Sequence, residues 1–177
     1  MVETLISSKT RIKLLLKFFL NSKTTSYLRN LESEFGESTN AIRVELNKFE
    51  KAGMLNSEME GNKKMFRANI QHPLFKEIHS IVMKYVGLDQ ILDHVIKRLG
   101  KVERVFLTGS FAKGLNSGVV DLIIIGDVDR LYLVQLIDKA EPLIKRKIRY
   151  LTYTSDEFTQ EQLHAIKPHP VLLWQKD

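Results

Sequence analysis

The 177 residues contain no cysteine, which excludes disulfides and thiolate metal sites. No apolar run approaches the roughly 20 residues that span a bilayer, so no membrane partner is expected. The opening Met1-Val2-Glu3-Thr4-Leu5 lacks the basic segment and apolar stretch of a signal peptide, and a cytoplasmic location is the expectation. The Gly-Lys-Ser/Thr phosphate loop, His-Glu-x-x-His and Gly-x-Ser-x-Gly are all missing. The histidines His72, His79, His94, His164 and His169 are scattered. His72 and His79 stand two helical turns apart, too far to share an ion without further ligands, so no resident metal is expected.

What is present is an ordinary globular balance, 44% hydrophobic and 27% charged. The net charge is +6, and residues 1–70 carry 12 Lys+Arg against 8 Asp+Glu. Residues 71–177 carry 15 against 13, so the positive excess is concentrated in the shorter N-terminal part. Mild basicity of this kind favours a polyanionic partner.

Lys9 to Leu20 predicts a helix, with Ile12, Leu15, Leu16 and Phe19 at helical spacing. A short second helix follows, N-capped by Thr25 or Ser26 and closed by Gly36. Ser38 caps a third helix with the stripe Ile42, Leu46 and Phe49, and Gly53 stops it. Two extended runs, Met54 to Met59 and Lys64 to Asn69, flank a Gly61-Asn62 hairpin turn. Pro73 opens a fourth helix with the stripe Leu74, Ile78, Ile81, Val82 and Tyr85. This helix is a candidate dimer element, or it packs inside its own chain. Beyond Gly87, a helix near Asp89 to Leu99 precedes strands at Val102 to Leu107 and Val119 to Ile125. A helix near Arg130 to Ile144 and a strand at Lys147 to Tyr153 follow, then an apolar tail, Val171 to Trp174, that packs back.

The segment Glu45-Leu46-Asn47-Lys48-Phe49-Glu50-Lys51-Ala52-Gly53-Met54-Leu55, with the hairpin Ser57 to Arg67, resembles ArsR/MarR-type winged helix-turn-helix transcriptional regulators. The resemblance covers about residues 9–70. It implies a recognition helix in the major groove and a wing on the flanking backbone. Ser38, Thr39, Asn40, Arg43 and Asn47 lie on or near the helix face away from Ile42, Leu46 and Phe49. Arg43 suits a guanine edge, Asn40 or Asn47 an adenine, and Lys48 a phosphate. Lys63, Lys64 and Arg67 on the wing suit backbone or minor groove, and Thr24, Thr25 and Arg29 suit phosphate positioning. Glu45 and Glu50 are expected to face outward too, where they would repel phosphate. A solvated polar face is the competing reading of each residue.

Val105-Phe106-Leu107-Thr108-Gly109-Ser110-Phe111-Ala112-Lys113-Gly114, followed by Val119-Val120-Asp121-Leu122-Ile123-Ile124, resembles minimal nucleotidyltransferases of the polymerase-β type. The resemblance runs from about Leu88 to Tyr153. In that family Gly-Ser lets the backbone approach a triphosphate, and two acids at alternate strand positions hold metal with a third from a later strand. Here Val119 stands at the first acid position, Asp121 alone remains, and the later strand Lys147 to Tyr153 has no carboxylate. Asp127 is about 20 Å along the strand from Asp121, too far to substitute. Gly109, Ser110, Lys113 and Asp121 remain candidates for a nucleotide or phosphate; the alternative is a plain strand-to-helix turn in a packing domain. Lys145-Arg146-Lys147 is expected to cap a helix C-terminus or to be solvated, with an auxiliary DNA contact as the other option.

The expected architecture is α+β. It comprises a winged helix-turn-helix at residues 1–71, a connecting helix at 72–87, and a small α/β nucleotidyltransferase-like domain at 88–177. The expected function is a homodimeric, DNA-binding transcriptional regulator whose second domain has no catalytic residues and senses a ligand or mediates assembly without a cofactor. One alternative is an active nucleotidyltransferase, using Mg²⁺ and nucleotide, that a winged helix brings to double-stranded DNA. Another is a non-enzymatic protein-interaction adaptor.

Overall fold

Ser8 accepts a hydrogen bond from the Arg11 amide and starts α1 (Lys9–Leu15) in the computed structural model, which describes residue 4 and residues 6–176. The helix continues as a π-type turn, Leu16–Leu20. Its Leu16, Phe18, Phe19 and Leu20 are all buried. The chain forms two compact units, one up to Val82 and one from Met83.

In the first unit the expected N-terminus of the second helix is a strand instead. Residues Thr25–Tyr27 form β1, whose extended backbone pairs antiparallel with β3 (Lys63–Ala68), Thr25 opposite Arg67 and Ser26 opposite Phe66. Ser26 is buried in that pairing, so neither it nor Thr25 caps the helix. Helix α2 (Leu28–Phe35) begins after Tyr27, without a side-chain cap, and ends at Gly36 with φ +61°. Helix α3 (Thr39–Lys51) has the expected Ser38 cap, which accepts the Ala41 amide, and the expected buried stripe. It leads into β2 (Leu55–Glu60), which pairs antiparallel with β3 around Gly61-Asn62. The sheet order is β1-β3-β2. Its core joins Phe19, Leu31, Ile42, Leu46, Phe49, Leu55 and Phe66, all buried. Helix α4 (Phe75–Val86) starts just after Pro73, and the division between the units falls within it.

In the second unit Gly87, at φ +89°, precedes α5 (Leu88–Ile91). A π-type turn, Leu92–Ile96, and α6 (Lys97–Leu99) complete the expected helix. Next come β4 (Val102–Thr108), the short α7 (Gly109–Ala112) and β5 (Val119–Gly126). Asp129 accepts the Leu131 and Tyr132 amides and caps α8 (Arg130–Ile144), the crossover from β5 to the parallel strand β6 (Lys147–Tyr153). Two elements were not expected. Helix α9 (Gln160–Ala165) has a capping box from Thr159 and Gln162 but buries no residue, so no apolar stripe marks it. The apolar tail is β7 (Val171–Gln175), antiparallel to β4. The sheet order is β6-β5-β4-β7. Its centre is the buried run Leu122 to Ile125, packed among Val105, Phe106, Leu133 and Leu136. Among the described residues no helix is long and apolar enough to cross a membrane.

Candidate functional site

Two places gather polar groups, one in each unit. In the first unit a groove of about 520 Å³ runs between α3 and the β2–β3 hairpin. Arg29 from α2, Arg43 and Asn47 from α3, and Asn62, Lys63 and Lys64 from the hairpin line it, with Tyr27, Leu46 and Phe66 among its walls. Arg43 and Asn47 are exposed one helical turn apart, oriented by burial of Ile42, Leu46 and Phe49 on the adjoining faces of α3. Five of the residues expected to meet DNA thus share one concave surface.

The other seven lie outside it, Thr24 among them half-buried before β1. Thr25 is exposed on β1. Ser38 spends its hydroxyl on the cap, Thr39 is half-buried and Asn40 is exposed. Lys48 is exposed and its Nζ lies 3.4 Å from Glu45. Strand alternation puts Arg67 on the sheet face opposite the buried Phe66, 3.8 Å from Glu58.

The acids differ from expectation. Glu45 does not face outward: its side chain is 9% exposed and receives Arg11 Nε at 2.8 Å. Burial pushes its carboxyl up, but the hydrogen bond and charge of Arg11, with Lys48, outweigh burial and hold it below its ordinary value. Glu50 is no free acid either. It accepts Ser57 Oγ and Lys64 Nζ, the latter at 2.7 Å, and these two hydrogen bonds depress it. Lys64 is therefore charge-paired rather than a bare tip, and Lys63 Nζ sits 4.6 Å over the Tyr27 ring. Among the described residues, no acid is paired with Arg29 or Arg43, on which the groove's positive charge mainly rests.

In the second unit β4 delivers Thr108 into Gly109-Ser110, with Gly109 at φ +66°. Asp121 on β5 stands in register between Thr108 of β4 and Arg149 of β6. Its Oδ1 accepts Arg149 Nε at 2.6 Å, and its Oδ2 fills the space where a Cβ on Gly109 would stand. Ser110 is half-buried and Lys113 exposed, with an interaction of its own. Arg146 staples the surroundings: it donates to the carbonyl of Val86, at the end of α4, at 3.2 Å and to that of Ser117 at 2.5 Å. Its guanidinium also lies over the Tyr85 and Phe111 rings. Lys147 pairs with Glu141 at 2.6 Å. The basic cluster thus does cap a helix C-terminus, through Arg146.

Sequence reasoning missed Arg149. It marked β6 as the strand lacking an acid, but only the parallel register with β5 shows which residue faces Asp121. The donor set does not fit the divalent cations of polymerase-β-type enzymes. Valine at 119 has no donor, the residue beside Asp121 is a cation, and Arg149 already uses Oδ1. Among the described residues no three His, Asp or Glu side chains assemble as metal ligands.

Residues 88–170 match the family model described as Nucleotidyltransferase domain, a span that holds the Gly109-Ser110 turn, Asp121 and Arg149. The second unit is nucleotidyltransferase-like, within a mixed α+β chain. Among solved structures the chain is similar to AF1382 from Archaeoglobus fulgidus. Identity is 21%, coverage is 46% of this chain and 93% of that one, and the TM-score is 0.38. No curated protein matches.

Proposed function

We propose that the first unit is a winged helix-turn-helix that binds double-stranded DNA, and that the chain is a transcriptional regulator whose nucleotidyltransferase-like unit does not catalyse. The observation that carries this reading is the groove in which Arg29, Arg43, Asn47, Asn62 and Lys63 converge between a capped helix and a hairpin. A helix edge of this kind enters the major groove, with Arg43 reading guanine and Asn47 adenine. Arg29, at the start of α2, meets phosphate. Regulators of this design bind as two-fold dimers on half-sites about 34 Å apart, and a homodimer is part of the proposal. The test is duplex selection from a random pool, followed by titration of the selected site against salt. Affinity should fall steeply with salt as counterions return to the phosphates. Arg43→Ala should cost about 1–3 kcal/mol and relax preference at one base pair. An unchanged binding profile would remove α3 from the groove.

The match of residues 88–170 favours a second reading, an active nucleotidyltransferase that the first unit targets. Nucleotide incorporation with Mg²⁺ that disappears in Asp121→Ala would establish it. The Asp121–Arg149 pair argues for the non-catalytic one.

A further inference from the structure

We infer that Arg149 takes the place of the divalent cation in the nucleotidyltransferase-like unit, which makes this a phosphate site that works without metal. The inference rests on the non-catalytic reading of the second unit and is independent of DNA binding by the first.

A nucleotidyltransferase needs positive charge beside its acids, because the phosphate tail of its nucleotide is anionic and the carboxylates would repel it. In this chain the charge is covalently attached. Arg149 lies in register with Asp121, and its Nε donates to Oδ1 at 2.6 Å. On its other side Oδ2 of Asp121 fills the space that a Cβ on Gly109 would need. The carboxylate side chain is 15% exposed and the arginine side chain 72% exposed. The inner edge of the guanidinium is therefore committed to Asp121, while most of its surface faces solvent. No hydrogen bond holds its Nη groups among the described residues. An arginine anchored at Nε presents a planar pair of N–H donors, the geometry that takes two phosphate oxygens at once. Lys113, exposed after α7, adds positive charge on a neighbouring element. The ligand class is a polyphosphate: the tail of a nucleoside triphosphate, or inorganic polyphosphate.

The sign of the magnesium effect separates this site from a metal site. Where a metal bridges acids and phosphate, Mg²⁺ is required. Where a guanidinium does the work, Mg²⁺ competes for the same phosphate oxygens and weakens binding. The experiment is calorimetric titration of the full chain with ATP and with tripolyphosphate, each in EDTA and in excess Mg²⁺. Both ligands should bind in EDTA and weaken several-fold in Mg²⁺. Tighter binding of ATP would identify a nucleotide, and equal binding would identify the phosphate chain alone. Arg149→Ala should lose at least about tenfold, since it removes the donor and leaves Asp121 to repel the ligand. Asp121→Asn should tighten binding, an outcome that misfolding does not imitate. Arg149→Ala should leave DNA binding unchanged. Binding that needs Mg²⁺, no binding of either ligand, or binding lost in Arg43→Ala but kept in Arg149→Ala would each overturn the inference. Only nucleotide turnover would overturn the non-catalytic reading beneath it.

Discussion

The Asp121 carboxylate occupies the space in which a Cβ on Gly109 would stand. Gly109 is also at φ +66°, a conformation in which a side chain is strained. Gly109→Ala must therefore strain the backbone and push Asp121 away from Arg149. The expected loss is about 2–4 kcal/mol, the sum of a left-handed alanine and an overpacked contact. Gly36 supplies the control, because it has a similar φ of +61° and open space around it. Gly36→Ala should cost only the strain, about 1–2 kcal/mol. Equal urea midpoints for the two variants would mean that Asp121 moves aside freely and holds no fixed place beside Arg149.

The pairing of Glu50 with Lys64 makes the opposite kind of prediction, a gain. Glu50→Gln keeps a hydrogen-bond acceptor for Ser57 but releases Lys64 from its charge partner at 2.7 Å. If the groove meets duplex DNA, one more lysine becomes available to phosphate. Affinity should rise, and the slope of log K against log salt should steepen by about 0.9. A slope that stays put in fluorescence anisotropy would place Lys64 away from the backbone.

Ion pairs in the first unit should set its acid limit. Burial pushes Glu37 up, but the hydrogen bonds from Lys13 and Thr10, with the lysine charge, hold it below its ordinary 4.5, as Arg11 does for Glu45. An acid held low in the folded state lends stability that is complete above its ordinary value. That stability drains away as pH falls through the lowered one. The first unit should thus weaken below about pH 4.5. Arg11→Met leaves Glu45 buried without its main partner. It should cost about 1–3 kcal/mol at pH 7 and flatten the acid limb of a stability–pH curve. An acid limb unchanged by the substitution would trace it to other carboxylates.

The same residues show what the sequence carries and what it does not. Helix α3 was legible because a cap and an apolar stripe sit within one short window, Ser38 with Ile42, Leu46 and Phe49, whereas α8 was placed without its Asp129 cap. Thr25 and Ser26 looked like caps by the same local rule. Their backbone is instead claimed by β3, about forty residues on, and local pattern does not display distant partners. Glu45 read as solvated, since nothing near it in sequence announces Arg11, 34 residues away. In the groove the lysines were found but not their partners, Glu50 and Tyr27. In the second unit Gly109 and Asp121 were legible through a motif, whereas Arg149 became visible only when parallel pairing fixed which face and which residue meet Asp121.

That register also predicts how the centre is reversed. Neighbouring strands lie about 4.8 Å apart, so an aspartate at 149 would stand beside Asp121 at a spacing that suits joint ligation of one cation. In Arg149→Asp two carboxylates replace an ion pair, and without metal they repel each other. The variant should melt lower than the parent in EDTA. Added Mn²⁺ should recover several degrees, because a ligand that binds only the folded form stabilises it by mass action. The parent and Arg149→Ala should show no such recovery: in the first a guanidinium fills the position, and in the second one carboxylate remains alone. If Mn²⁺ raises all three melting temperatures equally, it binds elsewhere, and Arg149 is not what keeps the cation out.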